Sequence, residues 1–349
     1  MKATKITQKC QSCGGDLVFA PAKDCLVCRQ CGNIVPVTGD MTFEKSFQKL
    51  LINAPTWQDT AVYQCEHCGA KSLVTKYDLI AKCDYCGATS MIKTGEMPGI
   101  RPDTVLPFTM NQADAGSCVR AWLAKRFFVP NDFKHMAENR RLRGIYFPAF
   151  TFDAHVVTKY TAVAVRTETY KTIVDGKEVT KSRTVRRPIV GSDIHVFDDL
   201  LVSANEEIPP QAFDALQPFD TGNGQVFQQS YLAGFTVAQA SKDPTPCWET
   251  AKESIENVIR HKITTRYSGT TIEDLRLDMG ITNVTYKYVL LPVYVGRAEY
   301  KGTQYHLFLN GQTGKIYGKT PKSKWKIFSF FAVMGLLAVG VGIFLATFL

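Results

Sequence analysis

Several features that would indicate an enzyme or a secreted protein are missing from this 349-residue sequence. The chain has no G-x-S-x-G nucleophile motif, no H-E-x-x-H motif and no complete nucleotide-binding fingerprint. Its six histidines do not cluster. The opening residues, MKATKITQKC, show no apolar run after their lysines, so we expect no secretory signal peptide. We therefore interpret the protein as a non-enzyme that works in a reducing compartment.

Cysteine, in contrast, is abundant and regularly spaced. Eight of the eleven cysteines form four C-x-x-C pairs, and glycine follows the second cysteine of every pair. Fourteen residues separate the two pairs of each set, and the whole unit repeats after 55 residues. Without a signal peptide, such pairs are typical of metal sites rather than of disulfides.

The spacing has a mechanical reason. Two residues between cysteines allow a tight turn that directs both sulfurs at one ion, and the glycine permits the backbone angles that this turn needs. Two such turns complete a tetrahedral four-sulfur shell, which suits zinc. We therefore predict two structural Zn²⁺ ions, one bound by Cys10, Cys13, Cys28 and Cys31 and the other by Cys65, Cys68, Cys83 and Cys86.

Two alternatives stay open at these sites. A rubredoxin-type iron centre uses the same two turns, whereas a redox dithiol would need a thioredoxin-like context that is missing here. Cys25 also forms a C-x-x-C pair with Cys28, so it could replace or supplement a ligand of the first site. We prefer Cys28 and Cys31, because Gly32 completes the pattern and the second unit has no counterpart to Cys25.

The last residues form a long uncharged run. Residues 327–349 contain no charge, and about 20 apolar residues are enough to cross a bilayer as a helix. Four lysines precede the run, which by the positive-inside rule predicts that residues 1–326 are cytoplasmic. They also account for part of the formal net charge of +9. We predict a single transmembrane helix at 327–349 and localisation at the cell membrane as a single-pass protein.

The intervening sequence predicts a mixed domain. Helical patterns cover 111–128, 132–143 and 246–267, and strand-forming residues cover 156–174, 177–185 and 284–318. The predicted fold is two N-terminal four-cysteine zinc ribbons, an α+β domain with antiparallel strands, and one C-terminal transmembrane helix. The predicted units are zinc ribbon 1 at 1–40, a linker with a short helix at 41–60, zinc ribbon 2 at 61–95, the α+β domain at 100–320 and the transmembrane helix at 327–349.

Three local features of the middle region have a second interpretation. The segment GQTGK at 311–315 is similar to a phosphate loop, but its glycines are too close together, so we interpret it as a hairpin. His195 near Asp198 and Asp199 could bind a metal or simply end a strand. Basic residues crowd the returning hairpin strand and are either a solvated face or a contact for anionic lipid or an acidic partner: Lys181, Arg183, Arg186 and Arg187.

An ordered series of segments resembles a known family. The segments are CGGDLVF, RPDTVLPF, GIYFPAFTFDA, FDDLLVSAN, YLAGF and KYVLLPVYV with YHLFLNGQTGKIYG. They are similar to bacterial TFIIB-type zinc-ribbon membrane proteins, often labelled as relatives of primosomal replication factor Y. The resemblance implies zinc ligation by the eight paired cysteines and no catalytic residues. It also implies partners of the SPFH (flotillin-like) or phage-shock-protein-A-like type and a role in membrane stress.

Together these features predict a membrane-anchored zinc-ribbon adaptor that recruits protein partners to the cytoplasmic face of a membrane. Membrane lipid and a second copy of the chain are further expected partners. The first alternative is a zinc-ribbon protein that binds nucleic acid in replication or transcription. The second is a thiol or zinc redox sensor that uses Cys25 as a spare thiol.

Overall fold

The computed structural model describes residues 3–5, 8–37, 39–40, 42–52, 60–66, 71–75, 91–96, 100–138, 142–174 and 177–348. Strands of the described chain are β1 Ala3–Lys5, β2 Gln8–Lys9, β3 Asp16–Ala20, β4 Cys25–Cys28, β5 Ile34–Pro36, β6 Lys45–Ser46, β7 Thr60–Cys65, β8 Lys71–Thr75, β9 Met91–Glu96, β10 Thr104–Val105, β11 Arg143–Val174, β12 Lys177–Ser203, β13 Gln225–Val226, β14 Thr236–Ala238, β15 Thr271–Tyr300, β16 Thr303–Asn310 and β17 Ile316–Gly318. Its helices are α1 Phe47–Ile52, α2 Gln112–Ala124, α3 Asn131–Glu138, α4 Pro210–Leu216, α5 Pro244–Arg266 and α6 Lys324–Phe348.

The strands of the described residues form three sheets. The first cysteine module is a four-stranded antiparallel sheet in the order β2-β3-β4-β5. A three-stranded sheet in the order β8-β7-β9 lies within the predicted second ribbon. The largest sheet has ten strands. Six of them follow the order β1-β14-β11-β15-β10-β13. Of the other four, β12 pairs with β11, β16 and β6 pair with β15, and β17 pairs with β16. Its centre is the antiparallel set of three long strands, β12, β11 and β15.

The base of the large sheet is covered on both faces. The start of β11, with the sequence GIYFPAF, is continuously apolar, as expected for a strand that is buried on both sides. Tyr146 packs into one core cluster with Phe108, Phe235 and Tyr294. The residues directly before and after Tyr146 in β11 pack into a second cluster on the opposite face of the sheet. The first cysteine module packs into the cluster that contains Tyr146, so one face of this core holds it in place.

Further along, a single helix covers one face of the three long strands. Ile255, Ile259 and Ile263 recur every fourth residue of α5, so they lie on one side of the helix. All three are fully buried against a cluster that includes Val156 and Tyr160 of β11. Because strand residues alternate between faces, this contact identifies one side of the β11–β12 ribbon as the α5 side.

A charged network fastens the linker segment to the large sheet. Strand β6 pairs with β15, and Lys287 of β15 is nearly buried beneath it. Its Nζ lies 2.7 Å from Glu44 Oε1 and 3.2 Å from Asp199 Oδ1. Burial raises the pKa of neighbouring Asp153, whose carboxylate accepts hydrogen bonds from the Asp199 amide and the Thr285 hydroxyl. The positive charge of Lys287 therefore offsets the negative charge of several buried or half-buried carboxylates.

Replacing Lys287 with alanine should destabilise the protein by about 3 kcal/mol, because removal of one partner leaves the carboxylates of Glu44 and Asp199 without their cation. The free energy of unfolding in urea measures this loss. The control is Lys171→Ala, which breaks an ion pair with Glu178 whose two side chains are 68% and 62% exposed and should cost less than about 1 kcal/mol. Equal losses in the two variants would contradict the interpretation.

The predicted architecture is wrong as a whole. The described residues contain one four-cysteine cluster, and a large curled antiparallel sheet takes the place of a simple α+β domain at 100–320. Strands β1 and β6 join this sheet from the N-terminal region, so the large sheet is not confined to the predicted domain. Non-local pairing of this kind has no local sequence signal.

The predicted transmembrane helix at 327–349 and the single-pass localisation at a cell membrane are also wrong. Helix α6 starts at Lys324, and its first turns pack on the body, where Lys326 Nζ donates to Val129 O at 2.8 Å. Within the part of the chain that the structure describes, no helix combines the length and the apolar character required to cross a bilayer. An uncharged run in the sequence does not by itself meet both requirements.

Candidate metal centre

Two short turns bring the N-terminal cysteines together. In the first turn, the amide of Cys10 donates to Gly15 O and the amide of Gly14 donates to Cys10 O, both at 2.8 Å. The second turn repeats this pattern, with the amide of Gly32 donating to Cys28 O at 3.0 Å. Gly14 and Gly32 have φ angles of 72° and 74°, which L-residues with a side chain rarely adopt. The glycine after each cysteine pair therefore closes the turn.

The four sulfur atoms form a compact group. Cys10 Sγ lies 3.7 Å from Cys31 Sγ, and Cys13 Sγ lies 3.4 Å from Cys28 Sγ. All four ligand atoms lie within 4.8 Å of one another. A disulfide would need about 2.05 Å between sulfurs, whereas a tetrahedral ion with bonds of about 2.3 Å separates its sulfurs by about 3.8 Å. The group could therefore hold a metal ion.

Backbone amides favour the ligand form of two of these cysteines. Hydrogen bonding from the Ser12 amide, helped by the Cys13 amide, lowers the pKa of Cys10 to about 6. The amide of Cys31 lowers the pKa of Cys28 in the same way. Thiolates rather than thiols bind metals, so these turns prepare the site for a cation.

The position of the group indicates what it can do. Cys10 and Cys28 are buried, whereas Cys13 and Cys31 are exposed, so the group lies at the rim of the first module. Four sulfurs fill a tetrahedral shell, and no coordination position is left for a substrate. The arrangement therefore suits a structural metal.

Three other cysteines whose side chains the structure describes lie apart from this group. Cys25 is buried at the start of β4, opposite Ala20 and Pro36, and is not part of the four-sulfur group. Cys247 is buried in α5, and burial raises the pKa of its thiol to about 11. Cys118 is half-buried on α2. Cys118 and Cys247 therefore pack against core clusters of the large sheet.

The first module is built into the core of the large sheet. Phe19 of β3 packs edge-on against Tyr231 with 5.2 Å between ring centroids, and its amide donates to Ala233 O at 3.0 Å. Val18 lies over Gly234, where any Cβ would approach the valine side chain to 2.6 Å. This contact surface was not predicted from the sequence. The only sequence signal for it was the pair of apolar segments LVF and YLAGF.

The second predicted zinc site lies outside the described residues. Cys65 ends β7, whereas Cys68, Cys83 and Cys86 are not among the residues that the structure describes. The flanking strands β7, β8 and β9 pair with one another in antiparallel fashion. The second site stays a prediction.

The segment at 311–315 is a hairpin turn, as predicted. Asn310 Oδ1 accepts hydrogen bonds from the amides of Gln312 and Thr313, and Gly314 has a φ of 72°. The turn joins β16 to β17, which pair in antiparallel fashion.

His195 forms no metal-ligand group with Asp198 and Asp199 among the described residues. Asp199 instead belongs to the Lys287 network. His195 faces Val156 across the β11–β12 pair, and burial, together with Lys262, lowers the pKa of its imidazole. This residue is part of the packing beneath α5.

Acidification should release the metal. The neighbouring sulfurs of Cys31 and Cys28 raise the pKa of the Cys13 thiol, so one proton competes with the metal over the whole range. The thiolate of Cys10, whose pKa is lowered to about 6, adds its contribution to metal binding above pH 6 and loses it as the pH falls through that value. Below that pH we expect the apparent affinity to fall at least tenfold per pH unit, because at least one proton competes with the metal. Competition with a chromophoric chelator between pH 8 and pH 5 measures the effect. A pH-independent affinity would contradict it.

The comparisons with known proteins identify one similar chain. This protein is 28% identical over 330 residues to the uncharacterized protein YdjG of Bacillus subtilis (strain 168). The alignment covers 94% of this chain and 93% of that protein, so the likeness extends over the ribbon and the large sheet together. No family model and no solved structure matches the chain.

Proposed function

We propose that the protein is a zinc-ribbon adaptor, which holds other proteins on the rim of its first metal module. The observation that carries the proposal is the exposed, apolar edge of strand β5. This strand is an edge strand that pairs only with β4 among the described residues, and its Ile34 and Val35 are 57% and 39% exposed. An exposed apolar edge strand is a template for pairing with an extended segment of a partner.

Zinc is the metal that best explains this arrangement. Tetrahedral four-sulfur groups bind zinc or iron, and zinc adds rigidity without redox chemistry. The four sulfurs lie directly beside β5, because Cys28 ends β4 and Cys31 lies between the two strands. We extend the proposal to a second zinc ion at Cys65, Cys68, Cys83 and Cys86, because their spacing repeats that of the first site.

The family resemblance supplies the class of partner. The likeness to TFIIB-type zinc-ribbon proteins supports partners of the SPFH (flotillin-like) or phage-shock-protein-A-like type. Such a partner would add a strand to the open edge of β5 and bury Ile34. The rigid large sheet behind the ribbon would keep this edge at a fixed position.

A binding assay with a purified partner of either type tests the proposal. The double variant Ile34→Asp with Val35→Asp should weaken binding at least tenfold, because it places charges on a strand that must become buried. Its metal content should be unchanged, since no sulfur ligand is altered. The control is Ile173→Asp, which changes a 75% exposed isoleucine far along β11 and should leave binding intact. Unchanged binding by the double variant, or no binding by the wild type, would reject the proposal.

A further inference from the structure

The β11–β12 hairpin continues well beyond the rest of the large sheet. Pairing between β11 and β15 stops at Val165, opposite Thr271, whereas pairing between β11 and β12 continues to Val174, opposite Lys177. We call residues 164–174 of β11 and 177–187 of β12 the arm. Nine residues of extended strand past Val165 reach about 30 Å. The arm is thus a two-stranded ribbon that projects past α5, which ends at Arg266.

The two faces of the arm differ in charge. Register and alternation place Arg166, Glu168 and Tyr170 on the α5 side, opposite Val185, Arg183 and Lys181. Arg187, opposite Ala164, lies on the same side. Among the arm residues whose side chains the structure describes, this face carries four cations and one carboxylate: Arg166, Lys181, Arg183, Arg187 and Glu168. The single carboxylate pairs with Arg183 at 3.1 Å.

On the opposite face of the arm, positive and negative charges are balanced. Lys171 Nζ lies 3.2 Å from Glu178 Oε2, and Arg186 Nη2 lies 2.9 Å from Glu273 Oε2. Each of these cations has a carboxylate partner on its own side. The excess of positive charge therefore belongs to the α5 side, and the two faces form an internal comparison within one ribbon.

We propose that the α5 side of the arm binds double-stranded nucleic acid through its phosphate backbone. Lys181 and Arg183 are two residues apart on β12, and Arg187 lies two such steps further on, so the cations form a row with spacings of about 7 and 14 Å. A row of this kind contacts successive phosphates, and a two-stranded ribbon fits a major groove about 12 Å wide. Tyr170, which is 46% exposed on the same face, can pack against a sugar or a base.

The charge row continues towards the base of the arm. Lys262 of α5 stacks over Phe197 at 5.9 Å, and Arg266 at the end of the helix pairs with Asp193. Both contacts are made on the α5 side of β12, at Phe197 and Asp193, which lie farther towards the base of the ribbon than Arg187. A straight polyanion wider than a peptide could contact the helix end and the arm together. This linear geometry favours a nucleic-acid duplex over an acidic segment of a protein.

Fluorescence anisotropy with a labelled 20-base-pair duplex and the full-length protein tests the proposal. If the protein contacts three or four phosphates, a plot of the logarithm of the association constant against the logarithm of the salt concentration should have a slope of about −3 to −4. The variant Lys181→Gln with Arg187→Gln should bind at least tenfold more weakly and lose about 2 from that slope. The control, Lys171→Gln with Arg186→Gln, has the same net charge on the same ribbon and should bind within threefold of wild type.

Each outcome decides the proposal. Equal weakening in the two variants would show a diffuse charge effect and overturn the assignment of one face. Polyglutamate that competes as well as unlabelled duplex would replace nucleic acid with an acidic protein as the partner. Absence of salt-dependent binding would overturn the proposal, whatever the result for the partner on β5. Thermal melting and metal content of both variants confirm that neither change disturbs the fold.

Discussion

Replacing Cys28 with alanine is expected to lower the metal affinity of the first module more than about 100-fold. Structural zinc in small modules binds with about 10–16 kcal/mol, so one of four sulfurs accounts for roughly 3 kcal/mol. Cys28 also anchors the second turn, since its amide and carbonyl both form hydrogen bonds there. Chelator competition measures the affinity, and elemental analysis after gel filtration measures the retained metal. Amide exchange in β3 and β4 should accelerate at the same time.

The matched control for this experiment is Cys25→Ala. Cys25 lies three residues earlier on the same strand, is also buried and is not part of the sulfur group. This variant removes a thiol without removing a ligand, so it should retain its metal. If Cys25→Ala lost the metal and Cys28→Ala kept it, the ligand assignment would be wrong.

Replacing Phe19 with alanine should cost about 4 kcal/mol, because a fully enclosed aromatic side chain is lost from the junction between the module and the large sheet. Phe19 is 2% exposed and contacts Tyr231. Urea unfolding, followed by circular dichroism and by metal release, measures the change in the free energy of unfolding. Metal release should shift to lower urea together with the loss of secondary structure, since the metal module and the sheet share one core.

Ile34→Ala is the control for Phe19→Ala. It removes apolar atoms from the same module at an exposed position and should change the free energy by less than about 0.5 kcal/mol. A loss below about 1 kcal/mol for Phe19→Ala, or metal release well before sheet unfolding, would show that the module folds independently.

The local features of this protein could be predicted from its sequence. The C-x-x-C-G turns depend on five consecutive residues, and the structure forms the first two of them as expected. The strands flanking Asp175 and Gly176 pair as a hairpin, although those two residues lie outside the described chain. The helical pattern at 246–267 corresponds to α5, Pro244–Arg266, because its isoleucines repeat at helical spacing.

The non-local features could not be predicted in this way. Strand β11 continues back to Arg143 and pairs with β15 across more than a hundred residues of sequence, and nothing in either segment specifies that register. The contact between Phe19 and Tyr231 likewise joins segments that are distant in sequence, so no local pattern predicts it. The uncharged run at 327–349 predicted a membrane span from composition alone, and the described helix does not meet that requirement.

The pairing of β1 with β14 has a consequence for biosynthesis. Ala3 pairs with Ala238, so 235 further residues must be translated before the first strand meets its partner. At about 5–20 residues per second, this interval lasts roughly 10–50 s. During that time Phe19 has no Tyr231 to pack against, and an aromatic surface destined for the interior stays in contact with water. Metal uptake on the nascent chain would keep this segment ordered while it waits. The residues of β1 thus leave the ribosome long before they reach their final neighbours.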